Sequence, residues 1–158
     1  VTQEVTRDLV ELSEAARASL TPSDWSRLHD LVERITAHEA PVAEQVPPKP
    51  QSNGVIVMGY IAAGPLVSQT LDLAYELKLV VPFAWPEWDE GRRLLGADGF
   101  DPARFSWAQT VGLLTALIRQ DRFSEGVLAD SFEDGRMPRL LSRLLDFAPE
   151  CDESSSGV

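Results

Sequence analysis

At 158 residues, with 44% apolar and 25% charged side chains, the chain is long enough to bury about two-thirds of the surface its unfolded form exposes, which excludes a disordered protein. A net charge of −11 excludes general affinity for nucleic-acid backbones, which rests on Lys and Arg displacing counterions, and favours basic partners. The single cysteine, Cys151, excludes an internal disulfide or a cysteine-rich zinc site and suits a reducing compartment.

The chain opens on Val5, Leu9, Leu12, Ala16 and Leu20, spaced as one apolar stripe along a helix. Thr21, Pro22 and Asp24 then supply a cap, a residue suited to the first helical position and an early acid for the helix dipole. A second stripe follows through Trp25, Leu28, Leu31 or Val32, and Ile35. Residues 1–40 thus read as an amphipathic helical hairpin. Four prolines within PVAEQVPPKPQSN, residues 41–53, predict an extended, semi-rigid linker.

A main helical domain is expected over 54–148. Its first segment, Gly54 to Ala63, is expected as a loop entering a helix, with a short strand near 54–61 as the alternative. Pro65 starts a helix with Leu66, Thr70, Leu73 or Ala74, and Leu77 inward. Val80 to Phe83 reads as a brief extended piece, and Trp85 to Leu95 as a helix begun by Pro86. Ser106 caps a strongly periodic helix carrying Trp107, Val111, Leu114, Leu117 and Ile118. Gly126 opens another, Asp134 and Gly135 stop it, and Pro138 lies in the first turn of the last, which carries Leu140, Leu141, Leu144, Leu145 and Phe147. The acidic tail, 149–158, is expected to be disordered. The fold class is therefore all-α, with about six helices.

No basic segment followed by an apolar one opens the chain, and Gly59, Gly64 and Pro65 break its longest apolar stretch, Val55 to Val67. Neither a secretory signal nor a transmembrane helix is expected, and the cytoplasm is the expected compartment.

Arg119, Arg122 and Glu125 recur at three-residue steps where one apolar helix hands over to the next. If helical geometry persists they share a face, with Glu125 accepting from either arginine. Two readings are open: an ion pair that fixes the turn, or a pocket completed by Trp88 in which guanidinium groups hold an anion. Trp85 and Trp88, three apart among Glu87, Asp89 and Glu90, suit core packing or a partner anchor. His29 and His38 belong to no ligand set of the HExxH kind, and no GxSxG elbow or glycine-rich phosphate loop is present. Neither a metal nor a cofactor is expected.

The blocks Gly59-Tyr60, Trp85 to Gly91, Leu113-Leu114-Thr115, Arg119 to Gly126 and Leu140 to Leu144 resemble a family of uncharacterised bacterial domains of unknown function. The resemblance covers residues 54–147 and implies no established activity. Its members often carry histidine directly after the glycine, where this chain has Val127. The departure favours a structural or binding role over a catalytic one.

The expected function is a small acidic protein-binding or regulatory module without catalysis. Its contacts, or its self-association, would come from the N-terminal hairpin, with Trp25, Leu28 and Trp85 as the partner-binding candidates. One alternative is a small-ligand-binding protein or enzyme built on Arg119, Arg122, Glu125 and Trp88. A further alternative is mimicry of DNA charge to occupy a nucleic-acid-binding protein. Direct nucleic-acid binding is disfavoured; Arg136, Arg139 and Arg143 form the nearest approach to a basic helix face.

Overall fold

Seven α-helices and four short strands make up the computed structural model, which describes residues 2–37, 43–57, 60–96, 100–124 and 126–149. The fold is mainly helical, as the spacing of apolar residues predicts. Helix α1 (Thr2–Ser19) turns Val5, Leu9, Ser13 and Ala16 inward, at the three- and four-residue steps of its stripe. Helix α2 (Pro22–Ala37) begins with a reciprocal cap: Thr21 Oγ1 accepts the Asp24 N–H at 3.1 Å, and Asp24 Oδ2 accepts the Thr21 N–H at 3.0 Å. It buries Leu28, Leu31, Val32 and Ile35.

Within the proline-rich stretch, residues expected as an extended spacer form strands β1 (Ala43–Val46) and β2 (Lys49–Pro50). Strand β3 (Ile56–Val57) pairs antiparallel with β2, and β4 (Tyr60–Ala63) with β1. The pairs Val46–Tyr60 and Lys49–Val57 keep one register, so both ladders belong to one hairpin. It is interrupted at Pro47 and Pro48, which have no N–H to donate. Asn53 Oδ1 accepts the Val55 N–H at 3.1 Å in the turn, leaving Val55 and Ile56 exposed at the tip.

Helix α3 (Pro65–Glu76) starts with Pro65 at its first position and ends in a Schellman motif. There the Leu79 N–H reaches the Ala74 carbonyl and the Lys78 N–H that of Tyr75, with Lys78 at a φ of +61°. The next segment, Leu79 to Val81, is buried without being helical. Its backbone is satisfied by the buried Thr115, whose Oγ1 donates to the Leu79 carbonyl and accepts from the Val81 N–H, at 3.2 and 3.1 Å.

The helix expected from Trp85 to Leu95 is two pieces, a 3-10 turn Trp85–Glu87 and helix α4 (Asp89–Leu95), broken at Trp88. Helix α5 (Trp107–Gln120) carries the expected Ser106 cap, doubled by Gln109. Helices α6 (Val127–Glu133) and α7 (Arg136–Leu145) complete the chain order. Every residue from Thr110 to Ile118 is buried, because α5 runs through the centre with α1, α4, α6 and α7 packed around it. Each Leu so buried contributes about 1.5–3 kcal/mol, which makes α5 the organising element.

The N-terminal helices share this core with the rest. Trp107 Nε1 donates to the Ser13 carbonyl at 2.8 Å, and its ring lies 5.8 Å from Trp25 and 5.7 Å from Phe147. Arg17 stacks over both Trp107 and Phe147 and donates to the Phe147 carbonyl. The start of the chain is thereby bound to its last helix. The tail beyond Pro149 lies outside the described residues. Among the described residues no helix is long and apolar enough to cross a membrane.

Candidate functional site

The handover from α5 to α6 is pinned by a residue that spacing does not single out. Asp121 is half-buried, and its Oδ1 accepts the N–H groups of Gly126 and Leu128 at 3.2 and 3.1 Å. Those donors sit at the start of α6, where a carboxylate also complements the helix dipole. Gly126 takes a φ of +98°, which favours a residue without a Cβ. With the base of the turn closed in this way, Arg122, Phe123 and Ser124 are pushed outward and exposed.

Phe123 is 82% exposed, with its ring centroid 6.4 Å from that of the half-buried Trp85. Tyr75, on the last turn of α3, is 41% exposed. The guanidinium of Arg119 lies 6.0 Å from the Tyr75 ring centroid, and Arg122 Nη2 donates to the Tyr75 hydroxyl at 3.4 Å. Three aromatic rings and two guanidinium groups from three separate segments therefore form one surface patch. Aromatic side chains and arginine are the residue types enriched at interface hot spots.

The other sequence-predicted residues lie elsewhere. Trp88 is 1% exposed and packs edge-on to Phe83 at 5.5 Å. A Cβ added at Gly91 would overlap its ring, and one added at Gly112 would lie 2.7 Å from it. Trp88 is thus a core residue and lines no pocket with the arginines, the apolar surroundings that fix α4 against α5 having claimed it. Glu125 lies outside the described residues. Leu28 is 1% exposed and Trp25 half-buried against Trp107, so of the partner-binding candidates Trp85 alone reaches the patch.

His38 lies outside the described residues, while His29, Asp30 and Glu33 are exposed neighbours on α2 with side-chain ligand atoms within 4.8 Å of one another. The basic side chains of α7 are engaged internally. Arg136 meets Asp134 at 2.8 Å, Arg139 stacks on Phe100, and Arg143 donates to the Phe105 carbonyl and to Asp146.

A groove of about 280 Å³ between α2 and α3 is bridged by Arg27, which meets Glu76 through two bonds, the shorter 2.6 Å, and by Arg34 donating to Gln69. The Arg27 guanidinium holds the Glu76 carboxyl below the usual carboxylate range, first by hydrogen bonding and then by charge. These pairs satisfy one another across the groove, which makes it a seam between helices.

Sequence reasoning passed over Tyr75, Asp121 and Phe123. Phe123 had a signal: it is the sole large apolar residue in the run Arg119 to Glu125. Asp121 had a weaker one, a capping side chain five residues before a glycine.

The model of a family of unknown function (DUF6508) matches residues 20–150. It takes in α2 and the β-hairpin as well as the stretch 54–147. No curated protein and no solved structure matches the chain.

Proposed function

The chain belongs to a family of unknown function, DUF6508, and from that premise we propose that it is a protein-binding, regulatory module that works without catalysis and engages its partner through the patch of Tyr75, Trp85, Arg119, Arg122 and Phe123. The observation that carries this reading is Phe123, 82% exposed and backed by Trp85. A large aromatic ring left in water beside a second aromatic gains most by being covered. The N-terminal hairpin is a weaker docking element, because its apolar stripe, Leu28 included, is already used against α5 and α7. The enzyme or small-ligand reading loses support with Trp88 in the core. The DNA-mimic reading draws little from a surface where Arg27, Arg92 and Arg104 sit paired among the acids.

The test is site-specific photo-crosslinking in the source cell, with the reactive group placed at position 123 and, as a control, at the exposed Glu11 on α1. The expected result is a discrete adduct from position 123 that disappears with Trp85→Ala and is missing from position 11. Equal labelling from both positions, or none from 123, overturns the reading.

A further inference from the structure

Resting on the protein-binding reading of this patch, we infer that its occupant is an acidic segment of a partner protein, in which one or two carboxylates flank an aromatic or aliphatic anchor. The anchor half of the argument is Phe123 with Trp85: an apolar surface open on one side accepts an apolar side chain. The charge half is the pair of guanidinium groups held on Tyr75, Arg119 over the ring at 6.0 Å and Arg122 on the hydroxyl at 3.4 Å.

Stacking on the aromatic face orders the Arg119 guanidinium while leaving its N–H donors free, and the single bond to the Tyr75 hydroxyl leaves Arg122 its remaining donors for a carboxylate to take two parallel bonds. Among the described residues Arg119 and Arg122 meet no carboxylate, nor do Arg7, Arg17, Arg34, Arg93 and Arg139, but of these Arg119 and Arg122 are the two that contact an exposed aromatic side chain, that of Tyr75. In a chain of net charge −11, two such cations beside exposed aromatic rings mark the place where negative charge is welcome.

The same net charge limits the partner. At physiological ionic strength the repulsion is screened beyond about 8 Å, so a short segment with a few carboxylates at the arginines is tolerated. A long polyanion, which would lie along the acidic remainder of the surface, is not. A basic segment would meet the two arginines directly and is rejected at the patch, although the rest of the surface attracts it.

The experiment is selection of a random dodecapeptide display library on the immobilised whole chain, followed by binding measurements with synthetic representatives of the enriched sequences. The expected result is enrichment of Asp or Glu within two positions of Phe, Tyr, Trp or Leu. Binding should fall at least tenfold with Arg122→Gln, and equally when the peptide's acids become Asn or Gln, an arm that needs no protein variant. Arg122→Lys should recover part of the loss, since it keeps the charge but not the fork.

Neutral or basic sequences that still depend on Phe123 would overturn the acidic chemistry and leave the docking surface standing. Sequences indifferent to both Phe123→Ala and Arg122→Gln, or no enrichment at all, would overturn both.

Discussion

Asp121 holds Gly126: one carboxylate oxygen accepts the glycine N–H at 3.2 Å and, from the same position, the Leu128 N–H at 3.1 Å. Arg122, which lies between them in sequence, has an exposed side chain that takes no part in closing the turn. Asp121→Ala leaves both donors without their partner in a part-buried site, and should cost about 1–2 kcal/mol. For a chain of this length that is a fall of about 2–8 °C in melting temperature, measurable by calorimetry. A melting temperature unchanged in Asp121→Ala would mean that the turn is held by something else.

Thr115 is the second point at which one side chain supports a non-helical segment. It bonds the Leu79 carbonyl and the Val81 N–H from inside the core. Thr115→Val keeps the shape and removes both bonds, so about 2–6 kcal/mol should be lost, about 1–3 for each of the two buried backbone groups left unsatisfied. Denaturant unfolding with an unchanged m-value would show the loss as a lower midpoint.

The helices were legible because their signals are local. The Thr21 and Ser106 caps, and the stripes of α1, α2 and α5, each lie within one turn or one face. The patch was not, because Arg122 meets Tyr75, 47 residues away in the sequence, and Phe123 meets Trp85, through the way α3, the 3-10 turn and the α5–α6 turn are packed. Trp88 shows the same limit from the other side. Its spacing from Trp85 suggests a shared face, yet the break at Trp88 sends it into the core while Trp85 stays at the surface. The β-hairpin was not legible: Gly54 to Ala63 is expected as a loop entering a helix, with a strand only as the alternative, and its partner is a proline-rich stretch that local propensity assigns to a spacer.

Trp88 is enclosed by two glycines and its Nε1 has no hydrogen-bond partner among the described residues. Gly112→Ala brings a methyl group to 2.7 Å from both Trp88 and Leu9, and the overpacking costs about 1–3 kcal/mol, against a gain in helix propensity of about 1 kcal/mol. A net loss is expected. Trp88→Phe removes the orphaned donor and the ring atoms nearest Gly112, so the double variant should be more stable than the sum of the two single changes predicts. A double-mutant cycle with no coupling would sink this account of the contact.

Lys78 adopts the left-handed conformation that ends α3, with a φ of +61°, and its side chain is exposed. Lys78→Gly removes the Cβ strain at that position, while the freer unfolded chain takes back part of the benefit. A net gain of about 0.5–1 kcal/mol is expected, visible as a rise of about 1–4 °C. Lys78→Val, β-branched at the same φ, should move the melting temperature the other way.

The seam between α2 and α3 predicts a pH dependence. Arg27 lowers the Glu76 carboxyl from its ordinary value in the folded state. A carboxyl lowered on folding contributes stability that is fully present above its unfolded value and is lost as the pH falls through the folded one. The stability difference between the parent chain and Glu76→Gln should therefore be constant near neutrality, shrink in the acid range below the ordinary carboxylate value, and diminish with added salt because both groups are exposed. A difference that persists unchanged below that range would assign it to packing.

Phe123 and Arg122 separate the two roles that the Arg119 to Gly126 run was expected to play. If its charges held the turn, Arg122→Ala would destabilise the fold as Asp121→Ala does. Because Arg122 is exposed and its contact is a single bond to the hydroxyl of Tyr75, the change should stay within about 0.5 kcal/mol, and so should Phe123→Ser, at a residue already 82% exposed. Replacing Phe123 should also make the protein more soluble, since among the described residues it is the most exposed large apolar side chain. Thermal melts of Asp121→Ala, Arg122→Ala and Phe123→Ser, run side by side, decide the matter. A large shift in the first and none in the others frees the arginine and the phenylalanine from holding the turn, whereas three equal losses would return the whole run to it.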